Sequence, residues 1–419
     1  MPRGKVKKVT MPSPDQFNPL SPQTVENPYD FYRAMREEAP VYAVPGGGFF
    51  IVSRYEDAKA VLENEELFSS NQPPGLLQPP TPEIEQIQRE GYPPVQTLLT
   101  NDPPAHTRYR ALVNKAFSAH RVRGMEGSVR RIANELIDVF IGDGRVELIG
   151  QFAIGLPLSV IADALGVPRG DMDKFKRWSD DSVAPLGGMI GHDRRIECAR
   201  SIVEFQRYFA ARLEERRSNP RDDILTDLIN ARLDGADPLN TAEMLSILQQ
   251  LLVAGNETTT NLIGSAMMLL LRNPGQMKAL IENASLIPNM IEEALRLESP
   301  VQGLGRLATR DTELGGVRIP AGSRLIVMYA SANRDGRQFH DAERFDVRRD
   351  NARAHVAFGQ GIHFCLGAAL ARLEGRIAFE TLLSRLKNIR MTPGRNDFAH
   401  TPSFILRGLK ELHLEFEVN

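Results

Sequence analysis

Cysteine is nearly absent from this chain: its 419 residues hold two, Cys198 and Cys365. Two thiols cannot build a disulfide framework. Their scarcity fits a reducing compartment, and the cytoplasm is the expected location. A surplus of charge is absent as well. Lys and Arg number 51 against 53 Asp and Glu, a net charge of -2, so nothing global draws the chain to nucleic acid or to an anionic membrane surface. Long hydrophobic runs are also missing. The most apolar segment, LIGSAMMLLL at 262–271, is about half of the roughly 20 residues a bilayer requires and reads as a buried helix. At the N-terminus, MPRGKVKKVT carries basic charge without an apolar stretch behind it, so residues 1–20 read as a tail and not as a signal or anchor.

What is present suits a globular protein. A content of 42% hydrophobic and 25% charged residues is enough to bury a large core. The patterning predicts one mainly α domain over 21–419 with a smaller β portion. VYAVPGGGFFIVSR at 41–54 reads as a hairpin, and residues 106–232 are mostly helical between glycine and proline breaks. The stretch 71–100 has too many prolines for a long helix yet keeps Leu76, Leu77, Ile84, Ile87, Val95, Leu98 and Leu99, the mark of a pocket wall or lid. Asn240 with Glu243 three residues on predicts a capped helix running to Arg272, about 50 Å long, through the core. A helix is expected over IPNMIEEALRLES, β structure after it, another helix from Cys365, and a strand in ELHLEFEV.

Two short stretches carry chemistry. In FGQGIHFCLG, Cys365 stands between a glycine loop and a helix start, where free N–H groups and the helix dipole favour a thiolate. Gly359, Gly361 and Gly367 let backbone approach something flat, and a thiolate beneath a macrocycle uses every one of these features. A small buried core residue, or a nucleophile paired with His363, are the alternatives; zinc lacks further ligands at suitable spacing. In LLVAGNETTTN, Gly255 costs a helix about 1 kcal/mol and Thr258 can bond back one turn, loosening the helix so that Glu257 and Thr258 face open space, an arrangement suited to relaying protons. A polar interruption that merely packs is the alternative.

FGQGIHFCLG resembles the heme-binding signature Phe-Gly-x-Gly-x-His-x-Cys-x-Gly of the cytochrome P-450 family at every fixed position, and Ala254, Gly255, Glu257, Thr258 and Thr259 resemble its oxygen-binding motif. The resemblance implies the P-450 fold with the long helix over heme b, and Cys365 as the iron ligand, whose electron donation favours O–O cleavage. It implies Glu257 and Thr258 as the acid and alcohol that deliver protons. Phe358, Gly359, Gly367 and Ala254 would line the cofactor, and His106, Arg110, Arg306 and His355 would bind its propionates. Glu293, Arg296 and Arg344 would form the family's buried Glu-Arg-Arg network, Ala342 standing where proline is frequent.

The implied reaction is insertion of one oxygen atom of O2 into a hydrophobic substrate by a monomer. Electrons would come from a separate ferredoxin or flavodoxin with its reductase, since no such domain is recognised here. A non-catalytic gas-binding heme protein and a cysteine hydrolase are the rival readings. Gln250, Val253, Ala254, Val301 to Leu304, Phe404 and Ile405 are expected to line the substrate pocket with the loops at 71–100 and 183–191, Gln250 supplying one hydrogen bond. Arg108, Lys115, Arg121, Arg123 and Arg372 are expected to form part of a basic patch for the electron donor.

Overall fold

The capping box that opens the longest helix is present in full. The Asn240 side chain accepts from the Glu243 N–H at 2.9 Å, and the Glu243 carboxylate accepts from the Asn240 N–H at 2.8 Å. With its first orphan N–H groups satisfied, the helix runs unbroken over Thr241–Arg272 and stops before Asn273-Pro274. In this computed structural model, which describes residue 18 and residues 21–71, 79–188, 190–235 and 237–419, that helix is the axis of the molecule. Every residue from Thr259 to Leu270 is buried. Its first half differs: Ala254 is exposed, and Val253, Gly255, Glu257 and Thr258 are half-buried, so the middle of the helix borders a cleft. Thr258 Oγ1 makes the expected bond to the Ala254 carbonyl at 2.7 Å, but the helix does not open at Gly255 as its sequence suggested and runs intact.

The remaining helices pack around this axis. Glu126–Phe140, Gly155–Ala164, Ile287–Leu297 and Ala368–Arg385 share its largest apolar cluster. The last of them starts at Ala368, three residues after the expected Cys365. It buries Glu374, whose Oε2 has no hydrogen-bond partner; burial alone holds this carboxyl up to about 8.

The β portion is peripheral. Strands β1 (Val41–Ala43) and β2 (Phe49–Val52) form the expected hairpin. They join β3 (Phe68–Ser69), and, after β4 (Arg145–Glu147), β5 (Leu304–Ala308), β6 (Thr312–Leu314), β7 (Val317–Ile319) and β8 (Arg324–Val327) follow in the chain. The main sheet has the order β1-β2-β8-β5-β3, with β2 parallel to β8. Strands β9 (Leu386–Met391) and β10 (His413–Val418) complete a smaller sheet with β4. The tail at 1–20, apart from residue 18, lies outside the described residues, as do Leu76 and Leu77.

Glu293 and Arg296 are fully buried and paired twice, at 2.7 and 2.8 Å. The third cation is Arg349, not Arg344. Arg349 Nε lies 3.0 Å from both Glu293 oxygens, whereas Arg344 turns only its carbonyl inward, accepting from Arg296 at 3.2 Å and Arg349 at 2.9 Å. Arg296 also donates to the carbonyls of Asn333 and Ala342, so the network knits the segment before the Cys365 loop to the core.

Candidate active site

The loop that presents Cys365 is held by its own backbone. Cys365 N–H donates to Phe358 O at 2.9 Å, Gly359 N–H to Val356 O at 2.9 Å, and Val356 N–H to the Asn333 side chain at 2.7 Å. Gly359 and Gly361 both have positive φ, +69° and +67°. A Cβ on Gly361 would stand 2.4 Å from the Leu62 carbonyl oxygen, so this glycine serves a turn and a close approach of protein backbone. Gly367 is open on the side where a Cβ would project. Burial pushes the Cys365 thiol up; the Gly367 N–H, the Arg110 and Arg372 cations and the Ala368 N–H oppose this and favour thiolate. Arg372 lies over the Phe358 ring at 4.6 Å, and Arg110 donates to the Phe364 carbonyl at 2.8 Å.

Near this loop a group of nitrogens forms no ion pair among the described residues, with Asp102 acting on the two imidazoles only at longer range. His106 and His363 stack with ring centroids 4.3 Å apart, and Nε2 of each is buried without a partner. Burial, Arg306 and His106 push His363 down to about 3, and burial with Arg110 lowers His106, with Asp102 opposing at both rings. Arg306 is 5% exposed, donates to the Gly305 carbonyl at 2.8 Å, and pairs with no carboxylate among the described residues. A buried cation and two buried imidazoles left in this state are the counterpart of a missing acidic group.

His355 does not belong to this group. Its Nδ1 accepts from the Ala357 N–H at 3.1 Å, so Nε2 carries the proton and donates to Glu292 Oε2 at 3.1 Å. Both nitrogens are spent. Against the cost of burial, His355 and Arg372 hold Glu292 down to about 2. His363, two residues before the cysteine, is the histidine that stands beside His106, and its fixed position in the cysteine motif was the signal that could have singled it out.

On the central helix, burial and then Asp180 hold the Glu257 carboxyl above its ordinary range, opposed by Lys176 and the Asn261 amide. Glu257 and Asn261 border a small cleft with Val183, Ala184, Gly187 and the segment 401–408. Gly408 permits this closeness, since a Cβ there would overlap the Asn261 side chain. Several expected pocket residues stand elsewhere. Gln250 donates to Thr97 Oγ1 at 2.8 Å and accepts from the Leu99 N–H at 3.1 Å, tying the 92–101 stretch to the helix with its hydrogen bonds used. Phe404 is buried among Tyr29, Tyr32 and Met35, and Leu406 faces the Glu257 cleft in its place. Val253, Val301, Leu304 and Ile405 are half-buried, and Val301 bridges Leu406.

The expected basic patch is largely neutralised. Arg108 pairs with Glu243 at 2.8 Å, Arg121 with Asp222 and Asp227 at 3.1 and 3.3 Å, and Arg372 with Glu292 at 2.7 Å. Arg123 is exposed, and the Lys115 side chain lies outside the described residues.

An iron porphyrin fits these residues. It can take the Cys365 thiolate on its metal and present its two carboxylates to Arg306, His106 and His363, which form no ion pair among the described residues.

Comparison with known proteins agrees. The family description "Cytochrome P450" matches residues 189–411. The chain is similar to 6-deoxyerythronolide B hydroxylase of Saccharopolyspora erythraea, 36% identical over 93% of this chain and 96% of that one. It is similar in structure to CYP109Q5 of Chondromyces apiculatus, with a TM-score of 0.85, 38% identity, and coverage of 96% and 98% of the two chains. It also matches an intact type IV self-sufficient cytochrome P450 monooxygenase at a TM-score of 0.90 and 32% identity, over 96% of this chain but 53% of that one. The chain belongs to the cytochrome P450 family, the heme b monooxygenases that use O2 to oxidise hydrophobic small molecules.

Proposed function

We propose that Cys365 is the thiolate ligand of the heme iron, that Arg306, His106 and His363 hold the propionates, and that Glu257 and Thr258 pass protons into the cleft beside Ala254. The observation that carries this is the set at Cys365: two backbone N–H groups on one thiol with the Arg110 and Arg372 cations nearby, beside a buried arginine and two imidazoles that form no ion pair among the described residues. Bound heme supplies dioxygen activation and oxygen insertion. The protein orients the substrate and moves protons. Burial holds the Glu257 carboxyl above its ordinary range, which suits it to exchanging protons, and the Thr258 hydroxyl can pass a proton on by releasing the Ala254 carbonyl.

The substrate proposed is a bulky hydrophobic molecule, in keeping with the apolar Val253, Val301, Leu304 and Leu406 and with the macrolide-named relative. Electrons are proposed to come from a separate ferredoxin or flavodoxin with its reductase. A monomer in the cytoplasm, formed as one domain over 21–419, completes the reading. Among the described residues no helix is long and apolar enough to cross a membrane.

The test supplies the heme-loaded protein with a surrogate ferredoxin and reductase, isotope-labelled O2 and a panel of steroids, macrolides and fatty acids. One labelled oxygen in the product is expected, and Thr258→Ala should consume donor with little oxidised product. Product oxygen drawn from water, or a Thr258→Ala variant that couples as well as wild type, would overturn the assignment.

A further inference from the structure

The segment 400–408 has one side on the Glu257 cleft and the other on the helix Pro22–Glu26. Thr401, Ser403 and Leu406 border the spaces on both sides. The Ser403 hydroxyl accepts from the N–H groups of Ile405 and Leu406 at 3.3 and 3.0 Å, so residues 403–406 form one tight unit. Two ties hold this unit to the N-terminal helix. At the far end, Arg407 donates to the Val25 and Glu26 carbonyls, each at 3.1 Å, and to Glu298 at 3.0 Å. At the near end, the Glu26 carboxylate accepts from the His400 N–H at 3.1 Å and meets His400 Nδ1 at 2.5 Å. Only the near tie uses the Glu26 side chain.

We infer that Glu26, acting through His400, is a positioning residue of the substrate cleft: its carboxylate sets where Ser403 and Leu406 stand beside Glu257. Backbone pairing with 408–410 sets the path of the chain at residue 400, and the two bonds from the Glu26 carboxylate set where that paired stretch stands against the N-terminal helix. His400 is 6% exposed and its Nε2 has no partner, so Glu26 is the side chain that holds its ring. Removing the carboxylate leaves the Arg407 anchor intact, because that anchor rests on main-chain carbonyls and Glu298. The near end of the segment then shifts and the molecule stays folded. A shifted Ser403 meets the 184–187 turn, whose Gly187 already lies so close that a Cβ there would stand 2.9 Å from Ser403 Oγ.

This inference rests on the reading of that cleft as substrate space, and the test separates the two. Heme-loaded wild type, Glu26→Ala, His400→Asn and Leu406→Trp are titrated with imidazole and with phenylimidazole, read by the Soret shift. Imidazole needs little room beside the iron; phenylimidazole needs the cleft. Glu26→Ala should change the phenylimidazole dissociation constant by at least about fivefold while leaving imidazole within about twofold. His400→Asn, which keeps a donor where Nδ1 stands, should remain near wild type. Leu406→Trp should exclude phenylimidazole. Equal phenylimidazole affinity in Glu26→Ala and wild type, or equal changes for both azoles, would overturn the positioning role. Unchanged phenylimidazole binding in Leu406→Trp would instead overturn the cleft reading beneath it.

Discussion

Replacing Glu374 by Gln should stabilise the protein, and increasingly so as the pH rises. The side chain is buried, its Oε2 is unpartnered, and no neighbouring charge offsets the burial that holds it up to about 8 against an ordinary value of 4.5. In the folded state the carboxyl keeps its proton, while in the unfolded state it loses that proton above its ordinary value. Folding stability therefore falls from 4.5 up to about 8 and levels off beyond. At about 1.4 kcal/mol per pH unit, the loss reaches about 3 kcal/mol at pH 7. A glutamine cannot ionise, so Glu374→Gln escapes this loss, and any fixed cost of its amide is the same at every pH. The assay is urea unfolding of heme-loaded wild type and variant, followed by far-ultraviolet circular dichroism from about pH 5 to pH 8. The stability difference should move in favour of the variant by about 3 kcal/mol across that range. A difference that stays constant with pH would refute the reasoning, because it would mean that Glu374 is ionised in the fold or reaches a partner.

Two further perturbations separate residues that the sequence alone does not. Arg349→Ala should destabilise by about 3–5 kcal/mol by leaving Glu293 short of a cation in the core, whereas Arg344→Ala, which keeps its carbonyl, should change stability by less than about 0.5 kcal/mol; denaturant midpoints decide between them. His363→Ala should lower heme retention, measured by transfer to apomyoglobin, while His355→Ala should lower the unfolding midpoint by removing one of the buried partners of Glu292 and leave the transfer rate of the folded protein close to wild type.

Local patterns were legible in the sequence where contiguous residues decide the outcome. The Asn240 and Glu243 capping box, the β1–β2 hairpin and the loop before Cys365 are each written within a few neighbouring residues, and the structure has all three. Where distant segments compete, sequence spacing was a poor guide. Arg344 and Arg349 both lie near the right place, and backbone direction decides that the first turns a carbonyl inward and the second its guanidinium. His355 and His363 flank the same loop, and the choice between them depends on Glu292, 63 residues before His355, which takes one imidazole and leaves the other without an ion pair. Gln250 was expected in the pocket because of its place on the helix. A stretch about 150 residues earlier in the chain claims both ends of its amide. The parallel pairing of β2 with β8 is likewise invisible to local pattern, since it joins Phe49 to Arg324.

The most direct test of the account is the absorption spectrum of the heme-loaded protein, reduced and exposed to carbon monoxide, beside Cys365→Ala prepared in the same way. Thiolate ligation by Cys365 predicts a strongly red-shifted Soret band in wild type that is missing from the variant. A wild-type spectrum without that shift, or a shifted band that survives in Cys365→Ala, would contradict the assignment of this sulfur to the iron.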